Sequence, residues 1–325
     1  MTETNRPKIS VVIRAFQDAK HIDRAIESVL AQSFADFELI VVDDGSMDGT
    51  REAVAAFDAP QIVYVWQPHL GPSAALNRAI GHARGAYVAF LAAEDECLPD
   101  RLEFQLTSLE GGGFTSHFCA PSLIDEHGEE LDDHAAPVFF KHDATDGAGA
   151  YRDFLNYGNF LCFSGAMVKR EALERVGGFN PGLFRAHDFE QWIRLCKLGG
   201  MAISRERFVR HRVRRERSFP PGIRLGASSD SELAHVYEHF FDGVSVELLK
   251  AAFPDESHIW GDPLVDDPQG FATMLLLLHP SPSIREIAFR RLLNLFRDEG
   301  PSGPVMLSNF EVDAPALATA LRSHR

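Results

Sequence analysis

Basic residues and long apolar runs are scarce in this sequence, and their scarcity excludes several classes of protein. The 325 residues contain 32 Lys plus Arg against 47 Asp plus Glu, a formal net charge of −15. Because nucleic-acid backbones attract positively charged surfaces, this balance argues against a nucleic-acid binder. The longest apolar run, near residues 274–278, is far shorter than the roughly 20 residues that cross a membrane, and the polar start lacks a secretory signal. We therefore expect a cytoplasmic protein, with peripheral contact at the inner face of the membrane left open.

Metal and cofactor fingerprints are also lacking. The four cysteines are widely spaced and form no CxxC pattern, so we interpret them as thiols in a reducing compartment. No GxGxxG turn follows a strand and no GxxxxGK[ST] loop occurs, so dinucleotide oxidoreductases and P-loop hydrolases lack their signatures here. Apart from His187, which precedes Asp188, and His211, which is discussed below, the histidines show no spacing that we interpret as a metal site.

Strands and helices alternate through the first part of the chain. Apolar runs predict strands at 9–13, 37–42, 62–66 and 87–91, and helical periodicity predicts helices at 22–30, 50–57 and 73–83. This alternation is typical of βαβ units in a mostly parallel sheet with helices on both faces. Ligands of such sheets bind beyond the carboxyl ends of the strands, which here follow Ile13, Val42 and Leu91.

The rest of the chain is less regular and then becomes helical. Strands are predicted at 114–120 and 160–168, and helices at 170–176, 189–198, 233–241, 245–253, 271–278, 284–298 and 314–322. We therefore predict two regions, an α/β domain over residues 1–225 and a helical C-terminal region over residues 226–325.

Acidic residues follow two of the predicted strands. Asp43 and Asp44 come directly after the second strand, and Glu94, Asp95 and Glu96 follow the fourth. Adjacent carboxylates repel each other unless a ligand or a cation uses them. Three carboxylates at a sheet edge suit a divalent cation that bridges phosphate oxygens, although a solvated turn explains the second group equally well.

The order of these segments resembles family 2 glycosyltransferases, which have the GT-A fold. The similarity spans residues 7–218 and is carried by 8–13, 25–34, 36–46, 71–77, 84–91, 176–180 and 187–195. The resemblance implies inverting transfer of a sugar from a nucleotide diphosphate donor, with a UDP-sugar favoured, to a glycan, lipid-linked or small-molecule acceptor. The helical region would then bind the acceptor or mediate assembly, including a homo-oligomer.

The resemblance also implies a donor site. Asp43 matches the carboxylate that hydrogen-bonds the nucleotide base, usually uracil, and Asp44 beside it shapes the turn. Arg14 is placed to meet a phosphate or the base, and Asn77 belongs to the same donor-binding set.

A metal and a base complete the implied site. Glu94 and Asp95 fall in the motif that holds Mn²⁺ or Mg²⁺ on the donor diphosphate, and His211 falls where many members carry a histidine that reaches the metal. Asp188 matches the general base, which takes the proton of the acceptor hydroxyl. Asp188 also fits the N-cap of the predicted helix 189–198, and the two roles are compatible.

Two segments depart from the family pattern. Residues 13–16, Ile-Arg-Ala-Phe, stand where the family usually has Pro-Thr-Tyr-Asn, and Ala92 and Glu94 replace the first two carboxylates of Leu-Asp-x-Asp-Asp. A catalytically silent GT-A-like protein that binds a nucleotide or a partner is therefore the alternative function. A nucleotidyltransferase would need a Gly-rich basic loop after the first strand, which is absent.

A basic stretch with seven arginines runs from residue 205 to residue 217. Arg presents paired donors to phosphate, so one interpretation is a clamp on the donor diphosphate. A solvated face, partly paired with Glu206 and Glu216, is an equal alternative. A third is contact with anionic lipid headgroups.

Overall fold

The computed structural model describes residues 6–132, 144–213, 225–259 and 268–297, which divide into two compact units. The first unit contains 6–132, 144–147 and 158–213. The second unit contains 148–157, 225–259 and 268–297. Among these residues, no helix is long and apolar enough to cross a membrane.

The elements of both units follow in chain order. The strands are β1 Ile9–Ala15, β2 Phe37–Asp43, β3 Ile62–Trp66, β4 Tyr87–Ala92, β5 Glu96–Cys97, β6 Ser116–Ile124, β7 Glu130–Leu131, β8 Ala166–Lys169 and β9 Met201–Arg212. The helices are α1 Ile22–Leu30, α2 Thr50–Ala55, α3 Pro72–His82, α4 Arg101–Gly111, α5 Gly147–Tyr157, α6 Arg170–Val176, α7 His187–Leu198, α8 Leu225–Glu238, α9 Val246–Ala252, α10 Pro254–Ile259, α11 Pro268–Leu278 and α12 Pro282–Arg297.

One mixed sheet organises the first unit. Its strand order is β3-β2-β1-β4-β8-β6-β9-β5, with β7 paired to β6. The first four strands in this order are parallel, as predicted, whereas β8 runs antiparallel to both of its neighbours. The buried residues of α1 are Ile22, Ala25, Ile26 and Val29, one face at helical spacing. This face joins the core beside β1, β2 and β4, whose runs of apolar residues are buried.

Two predicted boundaries in the first unit are wrong. The predicted strand 160–168 is regular only from Ala166, because a 3-10 turn covers Phe163–Gly165. Gly165 allows this turn to approach Cys119 so closely that an added Cβ would lie 2.2 Å from its carbonyl oxygen. Helix α7 begins at His187, so Asp188 lies inside its first turn and is not its N-cap, which is Ala186.

The second unit combines α5 from the middle of the chain with the C-terminal helices. The Tyr151 ring lies 4.6 Å from the Phe240 ring between centroids, and its hydroxyl donates to the Phe240 carbonyl at 2.7 Å. The Tyr237 hydroxyl donates to the Phe154 carbonyl at 3.2 Å. Aromatic residues on α5 therefore bind it to the later helices. The helix predicted at 314–322 lies outside the described residues.

Candidate active site

The carboxyl ends of β1, β2 and β4 meet at one edge of the sheet, as predicted. Ala15 at the end of β1 is in register with Asp43 at the end of β2. On the other side of β1, Arg14 is in register with Ala92 at the end of β4. β1 therefore lies between the two acidic motifs, at the point where the strand order reverses direction and ligands of α/β sheets bind.

Asp43 is fully buried and is fixed by residues that follow it closely in the chain. Its Oδ1 accepts from the Ser46 N–H at 2.8 Å, and its Oδ2 accepts from the Tyr64 hydroxyl at 2.6 Å. Burial, together with this bond to a carboxylate, raises the pKa of Tyr64. Each carboxylate oxygen can accept a further bond, so contact between Asp43 and a nucleotide base stays a prediction.

Asp44 is also fully buried, and it organises the approach to α3. Its two oxygens accept from the Gln67 side chain at 2.7 Å and from the N–H groups of Leu70 and Gly71 at 2.9 and 3.0 Å. His69 Nδ1 lies 2.9 Å from Asp44 Oδ2. These contacts fit the turn-shaping role that the resemblance implies for Asp44, and its predicted place in the donor-binding set stays a prediction.

An aromatic pair beside Asp44 was not indicated by the sequence pattern. The rings of Phe16 and His69 stack at 4.1 Å between centroids with an interplanar angle of 16°. Phe16 follows β1 and His69 follows β3, so the pair stands where two strands end. Its partly exposed rings form an apolar wall at this edge of the sheet.

Side chains of helix α3 hold the loop that precedes α7 through hydrogen bonds. Both polar atoms of the Asn77 amide bond the Phe179 backbone, at 2.7 and 2.8 Å. The Ser73 hydroxyl donates to the Leu183 carbonyl at 2.8 Å. Asn77 thus positions this loop, and its predicted contact with the donor remains a prediction.

Asp95 is the most heavily bonded carboxylate at the end of β4. It accepts from the Ser164 hydroxyl at 2.5 Å and the Arg212 N–H at 2.9 Å, and His211 Nδ1 lies 3.0 Å from its Oδ2. Burial alone would raise the pKa of Asp95. The positive charge of protonated His211 and these hydrogen bonds outweigh burial and hold the pKa below its ordinary value.

Three side chains here could hold a metal ion. The candidate ligand atoms of Asp95, Cys162 and His211 lie within 4.8 Å of one another. The structure thus brings together two of the predicted ligands and adds a thiol that the sequence pattern did not indicate. Glu94 is outside this group, and its carbonyl accepts from Arg212 Nε at 2.9 Å. Its part in metal binding stays a prediction.

Two arginines of the basic stretch fix the acidic loop. Arg210 and Arg212 pair with the Glu96 carboxylate at 2.7 and 2.8 Å. Arg212 is buried, so the solvated-face interpretation is wrong for this residue. Residues 214–217 lie outside the described residues.

Arg14 differs from these arginines. It is half-buried, and its guanidinium has no hydrogen bond or ion pair with any residue in the described part of the chain. Its register partner Ala92 stands where the family pattern has a carboxylate, which would have provided a neighbour of opposite charge. The edge of the sheet thus holds a cation suited to an anionic ligand.

Asp188 is half-buried and is oriented by a residue from another segment. The Asn159 side-chain N–H donates to its Oδ2 at 3.0 Å, and the Phe189 N–H donates to its Oδ1 at 2.7 Å. Asn159 is itself fixed, because its Oδ1 accepts from the Leu161 N–H at 3.1 Å. The sequence pattern predicted Asp188 but gave no signal for Asn159.

The segment 159–164 connects the two halves of the site. Asn159 bonds Asp188 at one end, and Ser164 bonds Asp95 at the other. Cys162 lies between them. A strand is predicted at 160–168, directly after Asn159, but a 3-10 turn covers residues 163–165 instead. The irregular backbone instead lets the segment serve both carboxylates.

Comparison with known proteins assigns the family. Residues 10–177 match Glycosyl transferase family 2. This chain therefore belongs to that family, and the resemblance read from its motifs is confirmed. An uncharacterized glycosyltransferase from Nostoc sp. is 32% identical over 188 residues, which cover 55% of this chain and 56% of the relative. The putative teichuronic acid biosynthesis glycosyltransferase TuaG of Bacillus subtilis is 30% identical, over 60% of this chain and 74% of the relative.

Solved structures confirm the GT-A fold. S. aureus TarS 1-349, determined in complex with UDP, has a TM-score of 0.60 at 15% identity, and the match covers 90% of this chain and 92% of the TarS 1-349 chain. The mannosyltransferase PcManGT from Pyrobaculum calidifontis, in complex with GDP-Man and Mn²⁺, has a TM-score of 0.53 at 20% identity. This match covers 98% of our chain and 81% of the PcManGT chain. At these identities the likeness concerns the fold alone. The matched region spans 56–65% of the length of the Nostoc and Rickettsia typhi relatives.

Proposed function

We propose that this protein is an inverting glycosyltransferase that moves a hexosyl group from a nucleoside diphosphate donor to an acceptor hydroxyl, with a UDP-sugar as the first candidate. The observation that carries the proposal is the single segment 159–164. It orients Asp188 through Asn159 and holds Asp95 through Ser164. Glycosyl transfer needs a base and a diphosphate-binding centre at the same anomeric carbon. One short segment that fixes both groups fits this requirement.

Asp188 is the base of the proposed reaction. It removes the acceptor hydroxyl proton while the acceptor oxygen bonds to the anomeric carbon and the bond to the diphosphate breaks. Attack from the face opposite the leaving group turns an α-linked donor into a β-linked product. Asn159 keeps the carboxylate in one orientation during this transfer.

Arg14, Asp43 and the stacked pair of Phe16 and His69 form the donor side. The Arg14 guanidinium binds the diphosphate, because its neighbour Ala92 carries no charge and no residue in the described ranges pairs with the guanidinium. Asp43 accepts a hydrogen bond from the nucleotide base of the donor. Asp44 and Asn77 hold the surrounding loops. TarS has been solved with UDP and PcManGT with GDP-Man, so both uracil and guanine donors belong in a first test.

Asp95, His211 and Cys162 fit a divalent transition metal. The carboxylate and the imidazole are ligands that Mn²⁺ accepts, the thiol favours softer ions such as Zn²⁺ and Co²⁺, and Mg²⁺ prefers oxygen alone. A bound ion would neutralise charge on the departing diphosphate. Mn²⁺ is the metal in the PcManGT structure, and we favour it over Mg²⁺.

The acceptor is proposed at the level of class. TuaG is named for teichuronic acid biosynthesis, which favours a glycan or lipid-linked acceptor in polysaccharide biosynthesis. The C-terminal helices would bind that acceptor or mediate assembly, and the enzyme would act in the cytoplasm or at the inner face of the membrane.

The first test is a calorimetric titration of the 325-residue chain with UDP, GDP, CDP and ADP, with and without Mn²⁺. We expect one of these nucleotides to bind tightly and to need Mn²⁺. The preferred nucleotide then fixes the donor class for an activity screen against glycan acceptors.

Asp188→Asn tests the base. We expect it to bind the donor like the wild type and to lose about 10²–10⁴-fold in transfer rate, the usual contribution of a general base. The matched control is Glu190→Gln, which removes a carboxylate from the same turn of α7 but leaves the bond between Asn159 and Asp188 in place. Equal loss in both variants would contradict the assignment.

A silent GT-A-like binding protein is the second candidate, and Ala92 is the observation that favours it. The family pattern has a carboxylate at this position, and its loss removes a donor contact. This candidate predicts nucleotide binding without transfer, and no effect of Asp188→Asn on any measured property except stability.

A further inference from the structure

The end of α8 carries a group of three side chains outside the candidate active site. His235, Glu238 and His239 are all exposed, and their possible ligand atoms lie within 4.8 Å of one another. The rings of the two histidines are 4.6 Å apart between centroids. The His239 N–H donates to the His235 carbonyl at 3.2 Å, so helical spacing continues through His239. Residues three and four apart share one face of a helix.

A fourth residue orients one of the histidines. Asp242 Oδ2 lies 2.7 Å from His239 Nδ1. A carboxylate at Nδ1 of a metal-binding histidine fixes the orientation of the ring and makes Nε2 the nitrogen that faces the metal. Arg291 keeps the turn in place, since it donates to the Glu238 carbonyl at 2.8 Å and lies 3.5 Å from Asp242 Oδ1.

The donor set selects a class of metal. Two imidazole nitrogens and one carboxylate suit Zn²⁺, Ni²⁺ and Cu²⁺, whereas Mg²⁺ and Ca²⁺ prefer oxygen ligands. The order His-x-x-Glu-His places two imidazoles one helical turn apart, a spacing with which zinc enzymes take two ligands from one helix. We therefore propose that His235, Glu238 and His239 bind a divalent transition metal ion, with Asp242 as a positioning residue.

The site is separate from the proposed donor metal. All four residues belong to the second compact unit, and none takes part in the proposed transfer reaction. Three protein ligands leave one position of a tetrahedral ion for water or for a further group. Metal binding here would stabilise the end of α8 and its contact with Arg291, so its effect is expected on stability and not on the chemical step.

The test is a calorimetric titration of the 325-residue chain with Zn²⁺ alone, repeated on single variants. We expect His235→Gln and His239→Gln each to weaken one Zn²⁺ binding event at least tenfold and to remove a Zn²⁺-dependent rise in Tm. Asp95→Ala should keep this event, since Asp95 belongs to the first compact unit and is not one of the three proposed ligands. Because all three ligands are exposed, Tm without metal should stay within a degree or two of the wild type.

His127→Gln is the matched control, because His127 is an exposed histidine beside Glu126, 3.9 Å away, and belongs to no candidate metal group among the described residues. It should leave Zn²⁺ binding unchanged. Asp242→Ala should weaken binding about tenfold, as loss of an outer carboxylate does, and Asp242→Asn should restore part of it. Unchanged Zn²⁺ binding in both histidine variants would overturn the proposal, as would equal loss in His127→Gln or Mg²⁺ binding as tight as Zn²⁺.

Discussion

The two acidic motifs at the sheet edge are built in different ways. The side-chain partners of Asp43 and Asp44 lie 3–27 residues further along the chain. The partners of Asp95 lie 69–117 residues away, on the segment 159–164 and on β9. The motif of Asp43 and Asp44 is therefore built by local βαβ geometry. The candidate metal site at Asp95 forms only when distant parts of the first unit have come together.

Because of this difference, we expect substitutions at Asp44 to act mainly on stability and substitutions at Asp95 to act mainly on metal binding. The bonds of Asp44 set the path from β3 into α3, so their loss should be felt as a loss of folding free energy. The bonds of Asp95 hold a candidate ligand set, so their loss should be felt first in metal binding. The predictions below test that division, from the largest expected effect to the smallest.

Asp95→Ala should have the largest effect. It removes the shared partner of Ser164, His211 and the Arg212 N–H, and with it the proposed metal carboxylate. We expect transfer to fall roughly a hundredfold or more, since a metal supplies several kcal/mol of charge stabilisation. Mn²⁺ titration and initial rates measure the two losses. Asp100→Ala, at an exposed position just before α4, should change neither.

Asp44→Ala should lower stability and leave metal binding intact. It leaves the buried Gln67 side chain and the N–H groups of Leu70 and Gly71 without their acceptor, which should cost about 2–4 kcal/mol of unfolding free energy. Urea unfolding measures the change, with Asp58→Ala, an exposed carboxylate, as the control. A stable Asp44→Ala protein that no longer binds Mn²⁺ would reverse the division drawn above.

The sequence predicted the local half of the site better than the distant half. Asp43 and Asp44 follow an apolar β-branched run, and strand periodicity places them at the sheet edge without knowledge of any other segment. Asn159, Ser164 and Cys162 sit in an irregular segment with no periodic signal, and their meeting with Asp188 and Asp95 is set by packing. Asp188 and His211 could be assigned only through the family resemblance.

The fold shows the same contrast. Alternating strands and helices predicted the parallel half of the sheet, with α1 at the residues observed. The C-terminal helices were indicated by helical periodicity, but nothing in the sequence of α5 marks it as their partner. Its aromatic contacts to Phe240 depend on residues some 90 positions later, a separation that local patterns do not encode.

Tyr64→Phe should have a smaller effect on the local side. It removes one hydrogen bond to the buried Asp43 carboxylate, worth about 1 kcal/mol of stability. Donor affinity should fall only a few-fold, because Ser46 still fixes Asp43. Paired measurements of Tm and UDP affinity test this. Nucleotide binding that disappears without a change in Tm would instead place the Tyr64 hydroxyl on the ligand.

Cys162→Ser should have the smallest effect, and it is visible in metal preference. Replacing a thiol with a hydroxyl favours harder ions, so the ratio of Co²⁺ to Mg²⁺ affinity should fall a few-fold. The thiolate-to-Co²⁺ charge-transfer absorption should vanish as well. Cys119→Ser, at another buried thiol outside the ligand group, should keep both properties. An unchanged absorption band in Cys162→Ser would remove the thiol from the metal site.

The length of the segment 159–164 also fixes a spacing in the site. Because Asn159 is tied to the base and Ser164 to the metal carboxylate, the number of residues between them sets the separation of the two ends of the reaction. An insertion or deletion there would move both ends together and could not be corrected by a single side-chain change. Family members that keep this chemistry should therefore keep the length of this segment even where its residues differ. That length can be counted in an amino-acid sequence without a structure.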